Sequence, residues 1–382
     1  MAPGLTARPG DVLLMVGTRK GSFLLSSDSS RQSWQVQGPY SAGGDVFHLT
    51  YDPRNGGRIL SATNYMIWGP QIEFSDDLGE TWKQAEGPPR FSEEAGEAGE
   101  AGPTVSRLWH IEPGLSSEPG VVFAGAEPAS LFKAQDGGNN WQELAGISQH
   151  PTRDQWQPGL GGLCLHSMVL DPENPDRMWV GMSAVGVFGT EDGGKSWHPR
   201  NSGVRADFAP DPLPEFGQCP HKVLAHPSRI DTLYQQNHCG VYRSDNGGQD
   251  WRDITEGLPS RFGFVLGIHS QDPDTIYVLP EDQVQGTDVG GGLRYVTEAK
   301  FRIYRSRDAG ESWEALTNGL PQQDAYLHSL REGMATDHLD PCGIYLGTTT
   351  GQLFYSRNDG DSWELLLEHL PPINSVECSA IV

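Results

Sequence analysis

The stretch Ser75-Asp76-Asp77-Leu78-Gly79-Glu80-Thr81-Trp82 decides the fold, because its pattern, Ser/Thr-x-Asp/Asn-x-Gly-x-Ser/Thr-Trp, returns along the whole chain. Clear copies are found at Thr190–Trp197, Ser306–Trp313 and Ser356–Trp363. Weaker copies are Ala134–Trp141 and Ser244–Trp251, and a degenerate copy, Ser26–Trp34, lacks the glycine. The seven tryptophans are 48, 59, 56, 54, 62 and 50 residues apart, the length of a four-stranded propeller blade with its loops. We therefore predict one domain, residues 1–382, folded as an all-β, seven-bladed β-propeller with four-stranded antiparallel blades.

The repeated residues are those of a tight hairpin turn. An Asp or Asn side chain bonds backbone N–H groups nearby, and glycine accepts positive φ. We assign these residues to folding and not to an active site. Two strand-like runs, Val12–Gly17 and Ser22–Ser26, precede the first copy, and an unpaired run, Ser375–Val382, follows the last. We predict that the N- and C-terminal strands share one blade, which removes an open sheet edge.

The repeat resembles that of the Asp-box (BNR-repeat) propellers over essentially the whole chain, and the sequence is most similar to bacterial sialidase-like or glycosyl-hydrolase-like BNR-repeat proteins. The resemblance implies a propeller that acts on a carbohydrate, although this fold hosts many chemistries. Sialidases have six blades and an Arg-Ile-Pro-type motif before their first repeat. In this chain that segment reads GTRKGSFLLSS, and Phe301-Arg302-Ile303-Tyr304 lacks the proline and is predicted to be a strand. A true sialidase is not expected.

Charge and composition exclude several classes of partner. Lys and Arg number 27 against 50 Asp and Glu, a formal charge of −23, which repels phosphate backbones and anionic membranes. The apolar run Val12–Val16 is too short for a signal sequence or a membrane span. Five cysteines without a C-x-x-C motif do not indicate a disulfide framework. We predict a cytoplasmic protein that binds a small molecule or carbohydrate, with its oligomeric state open.

Histidines recur near the predicted starts of the inner strands. His48, His110, His166, His221 and His328 occupy similar places, and His238 lies on a neighbouring turn. The pairs Cys164/His166 and Cys219/His221 each share one face of a strand. These six histidines are predicted to line the channel and to bind a divalent transition metal, since imidazole and thiolate suit Zn, Cu or Fe. Alternatively, they bind water or adjacent strands.

The register of these histidines is uneven. His166 and His221 lie five residues before an Asp-Pro or His-Pro pair, whereas His48 lies four before its own. A slip of one residue reverses the face of a strand, so His48 is not certain to join the others.

Long loops are predicted to gather on the face opposite the repeated turns, where loops on a rigid scaffold carry function. The catalytic candidates there are Glu127, Arg205, Asp207 and Lys222. The substrate-binding candidates are Trp68, Trp109, Arg153, Trp156 and Asn237. Exposed tryptophans beside carboxylates suit sugar stacking and glycoside hydrolysis.

Three functions remain open from these patterns. We favour a glycosidase-like enzyme that acts on a carbohydrate or other small substrate at the channel mouth, and it requires two facing carboxyl groups, one with a raised pKa. The alternatives are a metal-binding protein or metalloenzyme and a non-catalytic binding or assembly scaffold.

Overall fold

The computed structural model describes residues 5–91, 103–283 and 294–382, and within these ranges seven antiparallel sheets form the blades of a β-propeller. The innermost strands of successive blades contact one another around a central channel. This confirms the predicted fold class. Helical structure in the described ranges consists of four single 3-10 turns: Arg54–Gly56, Arg153–Gln155, Pro227–Arg229 and Thr297–Ala299. None of the described helices is long and apolar enough to cross a membrane.

Each blade has four principal strands, which follow one another in the sheet from the channel outward. Blade 1 contains Ile373–Ala380, Val12–Thr18, Gly21–Ser27 and Gln35–Tyr40. Blade 2 contains Asp45–Asp52, Arg58–Tyr65, Gly69–Ser75 and Lys83–Gln84. Blade 3 contains Arg107–Pro113, Val122–Glu127, Ser130–Ala134 and Trp141–Glu143. Blade 4 contains Leu165–Leu170, Met178–Met182, Gly186–Thr190 and His198–Pro199.

The remaining three blades follow the same pattern. Blade 5 contains Pro220–Ala225, Leu233–Asn237, Gly240–Ser244 and Arg252–Asp253. Blade 6 contains Gly263–Ile268, Ile276–Gln283, Ile303–Ser306 and Glu314–Leu316, with a short extra strand, Arg294–Val296, paired to the second of these. Blade 7 contains Met334–Thr336, Ile344–Gly347, Leu353–Ser356 and Glu364–Leu367.

Blade 1 joins the two ends of the chain, as predicted. Its innermost strand, Ile373–Ala380, pairs antiparallel with Val12–Thr18, so that Val16 lies opposite Val376. The closing strand begins two residues earlier than expected from the sequence. The ring therefore closes through backbone hydrogen bonds within one sheet.

The repeated turns have the hydrogen bonds that their residue types predict. The Ser75 hydroxyl accepts a bond from the Gly79 amide at 2.8 Å and donates to the Asp77 carboxylate at 2.8 Å. The Asp77 carboxylate also accepts bonds from the amide and the hydroxyl of Thr81. Gly79 has a φ of 90°, which explains the glycine at this position. The Ser75, Asp77 and Thr81 side chains are all hydrogen-bonded within the turn. They therefore stabilise the outer hairpin and are not available to act on a substrate.

Two of the tryptophans after these turns bond a neighbouring blade, whereas Trp141, Trp197 and Trp363 donate to a carbonyl of their own turn. The Trp251 indole donates at 2.8 Å to the carbonyl of Arg200, directly after the outer strand of blade 4. The Trp313 indole donates at 2.9 Å to the carbonyl of Ile254, directly after the outer strand of blade 5. The apolar core likewise lies between blades, where Trp179 of blade 4 packs in one cluster with Tyr242 of blade 5. The blades are therefore fixed relative to one another, and the channel has rigid walls.

Candidate functional site

A repeated β-bulge in the innermost strands determines which side chains face the channel. In blade 2 the register skips from Val46 to His48, which leaves Phe47 as the extra residue. The same skip isolates Trp109 in blade 3, His166 in blade 4 and His221 in blade 5. A bulge redirects the side chains on either side of it. The structural equivalents of His166 and His221 are therefore Phe47 and Trp109, not His48 and His110.

In blades 2, 3 and 5 the residues that directly follow the bulges meet near the channel axis. His48, His110 and Lys222 contact Glu332, and His48 also contacts Glu377; we call these five residues the axial network. His48 Nε2 lies 3.1 Å from Glu377 Oε1 and 4.0 Å from Glu332 Oε2. His110 Nδ1 lies 3.5 Å from Glu332 Oε1, and its ring centroid is 4.1 Å from that of His48. The Lys222 ammonium contacts Glu332 Oε2 directly.

Three members of the axial network, Glu332, His110 and Lys222, are buried and carry charges that stabilise one another. Burial alone would raise the pKa of Glu332, but Lys222 and His110 outweigh it and hold this pKa well below its ordinary value. Burial alone would lower the pKa of His110, but the Glu332 carboxylate raises it to about 9. Burial alone would also lower the pKa of Lys222. The Glu332 carboxylate outweighs this effect, so the pKa of Lys222 is raised. At neutral pH the Glu332 carboxylate therefore has two cationic partners.

A metal ion in the axial network would have to compete with this charge pattern. His48, His110 and Glu332 bring three ligand atoms within 4.8 Å of one another. However, the Lys222 ammonium already contacts the one carboxylate of this set, and His110 is protonated at neutral pH, so one ligand is occupied by a cation and another by a proton.

A second group of possible ligands joins Cys219, His221 and His238, whose ligand atoms also lie within 4.8 Å of one another. The His221 Nδ1–H donates to the Gly263 carbonyl at 2.6 Å, which leaves Nε2 as its ligand atom. Burial, with Arg331 adding to it, lowers the pKa of His221 well below its ordinary value, and burial with Arg294 lowers that of His238 to about 4. Both imidazoles are neutral at pH 7, the form that binds metals. Burial raises the pKa of the Cys219 thiol.

The other predicted metal ligands lie outside both groups. His166 Nε2–H donates to the Pro220 carbonyl of the next blade at 3.1 Å. His328 lies before blade 7 rather than on its innermost strand, and its Nδ1 is 2.8 Å from the buried carboxylate of Glu281. The six histidines therefore do not form one cluster, because the bulge divides them and because His166 and His328 bond neighbouring strands.

The channel mouth opens into a cavity of about 520 Å³. Three aromatic residues, Phe47, Trp109 and Phe264, contribute to its wall. Three carboxylates and four guanidinium groups line it as well: Asp45, Glu127 and Glu332, with Arg19, Arg107, Arg294 and Arg331. A larger hollow of about 760 Å³ lies between blades 3 and 4, lined partly by the repeated turn at Gly194–Trp197. The cavity at the channel mouth is the better candidate, because its charged and aromatic side chains come from several blades.

Glu127 is held in place within this cavity. Its Oε2 accepts a bond from the Trp109 indole at 3.1 Å and lies 3.6 Å from Arg107 Nη1. Its Oε1 faces Gly162, where an added Cβ would come within 2.1 Å of that oxygen. The guanidinium carbon of Arg107 lies 4.7 Å from the centroid of the Phe47 ring. A carboxylate is therefore fixed beside an aromatic platform, an arrangement that suits a sugar.

The carboxyl groups with a resolved pKa shift include one that lines the cavity, Glu332. Each described carboxyl group with a resolved pKa shift has its pKa lowered: Asp28, Asp77, Asp136, Asp192, Asp272, Asp308, Glu298 and Glu332. The raised carboxyl pKa that the glycosidase hypothesis required is not found among them. His110, which contacts the cavity-lining Glu332, holds a proton at neutral pH.

Several predicted site residues lie away from the cavity. Arg205 pairs with Asp207 at 2.6 Å in a connecting loop, and each side chain is 46% exposed. Trp68 is 75% exposed at the tip of a hairpin in blade 2. Trp156 belongs to the core, with Arg153 stacked on it, and Asn237 is fully buried and donates to Gln235. Trp156 and Asn237 were wrong predictions for an exposed binding surface, because packing covers both.

Sequence reasoning missed the residues that complete the cavity. Arg331 and Glu332 lie in the connection before blade 7, and Arg294 lies in the long insertion of blade 6. Neither position falls on a recognisable repeat. The only available signal was the sequence Leu330-Arg331-Glu332, with two charges beside a short inner strand.

Fold and site thus define a β-propeller with a polar and aromatic cavity at its channel mouth, and comparisons with known proteins agree with this class. No protein-family model matches the chain. The chain is 29% identical over 239 residues to the oligoxyloglucan-reducing end-specific xyloglucanase of Emericella nidulans, a match that covers 56% of this chain and 26% of the fungal enzyme. The chain thus spans far less than the length of this relative.

Solved structures share the fold at lower identity. An ancestral GH74 enzyme superposes with a TM-score of 0.55 and 15% identity, over 88% of this chain and 38% of that enzyme. YCF48 bound to D1 peptide superposes with a TM-score of 0.51 and 12% identity, over 96% of this chain and 88% of that one. At these identities the likeness concerns the fold alone.

Proposed function

We propose that this protein is a carbohydrate-acting propeller, glycosidase-like but not a sialidase, which binds a sugar in the cavity at the channel mouth. The fixed pair of Trp109 and Glu127 in a cavity of about 520 Å³ carries the proposal. That volume lies in the usual range for small-molecule sites. Sequence similarity to a fungal xyloglucanase points to the same class of ligand. The resemblance to Asp-box proteins and the cytoplasmic location remain predictions.

In this proposal Trp109 stacks on the apolar face of a sugar ring, and Glu127 and Asp45 are the two carboxylates that act on the glycosidic bond. Asp45 Oδ1 accepts a bond from the Asn374 amide at 2.7 Å, so the closing strand of blade 1 orients it. Glu127, with Oε2 engaged by Trp109, presents its other oxygen as base or nucleophile. Asp45 is assigned the acid role, which requires a protonated carboxyl group.

The test combines binding and turnover on the purified protein. We expect xyloglucan oligosaccharides or related glucans to bind by calorimetry and to be cleaved, with products measured by mass spectrometry. Glu127→Gln should lower turnover at least 100-fold and leave binding within threefold. Glu118→Gln is the matched control, because Glu118 lies on the same blade with its carboxylate 3.7 Å from Lys133. Binding without turnover would leave a non-catalytic sugar-binding scaffold, and absence of binding at millimolar concentration would reject the proposal.

A metal centre is a second candidate function, favoured by the Cys219, His221 and His238 group. Two neutral imidazoles and a thiol within 4.8 Å match the ligands that zinc and copper prefer. Titration with Zn²⁺ or Cu⁺, followed by elemental analysis, should give one bound ion that Cys219→Ser abolishes. Cys164→Ser, in the other Cys-x-His pair, should retain it. Failure to bind one equivalent of either metal would reject this candidate.

A further inference from the structure

The cavity at the channel mouth is rich in cations although the chain is strongly acidic. The formal charge is −23, yet four guanidinium groups line this one cavity. Arg107 is paired with Glu127. In the part of the chain that the structure describes, Arg19, Arg294 and Arg331 have no carboxylate within 4.0 Å. Three guanidinium groups in one cavity thus lack an anionic partner.

Arg331 is the most buried of the three, at 9% exposure. Its Nη1 donates to the Ser183 hydroxyl at 3.3 Å and to Cys164 Sγ at 3.6 Å, and its guanidinium carbon lies 5.0 Å from the Trp109 ring centroid. These contacts are all with neutral groups. A buried cation normally requires an anion to offset its desolvation, so the position of Arg331 points to a missing partner.

Arg294 extends the same cationic surface. Its guanidinium carbon lies 5.1 Å and 5.2 Å from the centroids of the Phe262 and Phe264 rings. Burial lowers the pKa of Arg294, the Glu281 carboxylate partly offsets this effect, and the like charge of Arg331 adds to it. Two guanidinium groups that line one cavity can share a single anion. The planar guanidinium also bonds a carboxylate or phosphate through two parallel hydrogen bonds.

The carboxylates of the cavity do not supply this anion. Glu332 contacts Lys222, and Glu127 pairs with Arg107. Asp45 is held by the Asn374 amide, and it is one carboxylate against three unpaired guanidinium groups. The buried Glu281 carboxylate acts on Arg294 from beyond ion-pair distance and is itself engaged by His328 and the Ser329 amide. Arg294 and Arg331 therefore keep no ion-pair partner within 4.0 Å among the described residues, and a neutral ligand would not provide one.

We infer that the ligand of this cavity is an acidic sugar, with its anionic group bound by Arg331 and Arg294 and its ring stacked on Trp109. Arg19, which is exposed at the rim, contributes to attraction rather than to direct bonding. This inference rests on the proposed carbohydrate function and specifies its substrate class. The shared chemistry is an anionic oxygen group, carried either by a uronic acid or by a sugar phosphate.

Calorimetry on the full chain with matched ligands tests the inference. The pairs are glucose with glucuronate, glucose with glucose 6-phosphate, and cellobiose with cellobiouronic acid. We expect the acidic member to bind at least tenfold tighter at low salt and the difference to shrink as NaCl is added. The uronate and phosphate arms identify which anionic group fits.

Arginine variants locate the binding group. Arg294→Gln should weaken binding of the acidic ligand at least tenfold and change binding of the neutral ligand less than twofold. Arg331→Lys and Arg331→Gln should follow the same pattern, with circular dichroism as the check on folding. Arg243→Gln is the control, because Arg243 pairs with Asp245 beside a repeated turn and does not line the cavity.

The outcomes separate this inference from the proposed function. If neutral and acidic sugars bind equally, or if Arg294→Gln leaves the acidic ligand within twofold, the inference is wrong and the carbohydrate function stands. If no sugar binds, both fail. If inorganic phosphate and acetate bind as tightly as the acidic sugars, the cavity is a general anion site and the sugar specificity is wrong.

Discussion

The ammonium group of Lys222, on the innermost strand of blade 5, contacts the carboxylate of Glu332, just before the innermost strand of blade 7. The two residues are 110 positions apart in sequence, and their side chains are 7% and 4% exposed. The pair thus links two blades that are not neighbours, beneath the cavity. Because both side chains are buried, each charge is stabilised mainly by the opposite charge of its partner.

Removal of one member of this pair is expected to be more damaging than removal of both. Lys222→Met leaves Glu332 buried without its direct cationic partner and should cost about 3–5 kcal/mol of unfolding free energy. Lys222→Met combined with Glu332→Gln should cost less than the first change alone. Chemical denaturation followed by tryptophan fluorescence measures all three proteins. A single variant within 1 kcal/mol of the wild type would contradict the assigned role.

His110 should make stability depend on pH above neutrality. Its pKa is about 9 in the folded protein against 6.5 as the ordinary value, so its contribution is fully present below pH 6.5 and is lost as the pH rises through about 9. The loss is on the order of 3 kcal/mol. Glu332 has the opposite sign, because its lowered pKa stabilises above pH 4.5 and is lost as the pH falls.

Denaturation between pH 6 and 10 tests this pH dependence. His110→Gln should flatten the decline of stability over that range. His369→Gln, whose side chain is 90% exposed beside blade 7, is the control and should keep the wild-type profile. An unchanged slope in His110→Gln would show that His110 is not protonated in the folded state.

Asp192 in the turn of blade 4 should tolerate Asn better than Ala. Its carboxylate accepts four hydrogen bonds, from Thr190 Oγ1, the Lys195 amide, and the amide and hydroxyl of Ser196. Asp192→Ala should lower the unfolding free energy by about 1–3 kcal/mol. Asp192→Asn should cost less, because Asn246 and Asn358 serve in the equivalent turns of blades 5 and 7.

The same turn should respond to acid in the wild type. Hydrogen bonds from Ser196 lower the pKa of Asp192 below its ordinary value of 3.8, so its stabilising effect is present above that pH and is lost as the pH falls. The difference in Tm between Asp192→Asn and the wild type should therefore be smaller at pH 3 than at pH 7. An equal separation at both values would contradict this reasoning.

Trp109 and Trp68 provide a matched test of the binding surface. Trp109→Ala should weaken sugar binding about tenfold, because one aromatic stacking surface is worth about 1–3 kcal/mol when it is shielded from water. Trp68→Ala should leave affinity within twofold, since Trp68 does not line the cavity. Calorimetry with one ligand compares the two variants, and the reverse order would place the site on the hairpin tip.

The parts of the fold that depend on short-range patterns could be predicted from the sequence. The hairpin around Asp77 is encoded within eight residues, and the number of recurring tryptophans gives the number of blades. Closure follows from counting strands at the two ends, because an unpaired strand needs a partner. Each of these conclusions requires only local chemistry and one rule about sheet edges.

The site was harder to predict, because it depends on a backbone irregularity and on connections without a repeat. A bulge at Trp109 and His221 moves each following residue into the channel, and no residue type marks that change in register. Sequence spacing did indicate that His48 and His166 differ, yet it could not say which of them faces Glu332. Arg331 and Arg294 come together only after blades 6 and 7 have packed.

The closing strand Ile373–Ala380 couples closure of the ring to completion of the cavity. Its Glu377 and Asn374 reach His48 and Asp45 on blade 2, so the strand that closes the ring also supplies groups to the floor and wall of the cavity. Ligand binding therefore depends on the docking of one eight-residue strand, although none of the arginines that line the cavity lies on it.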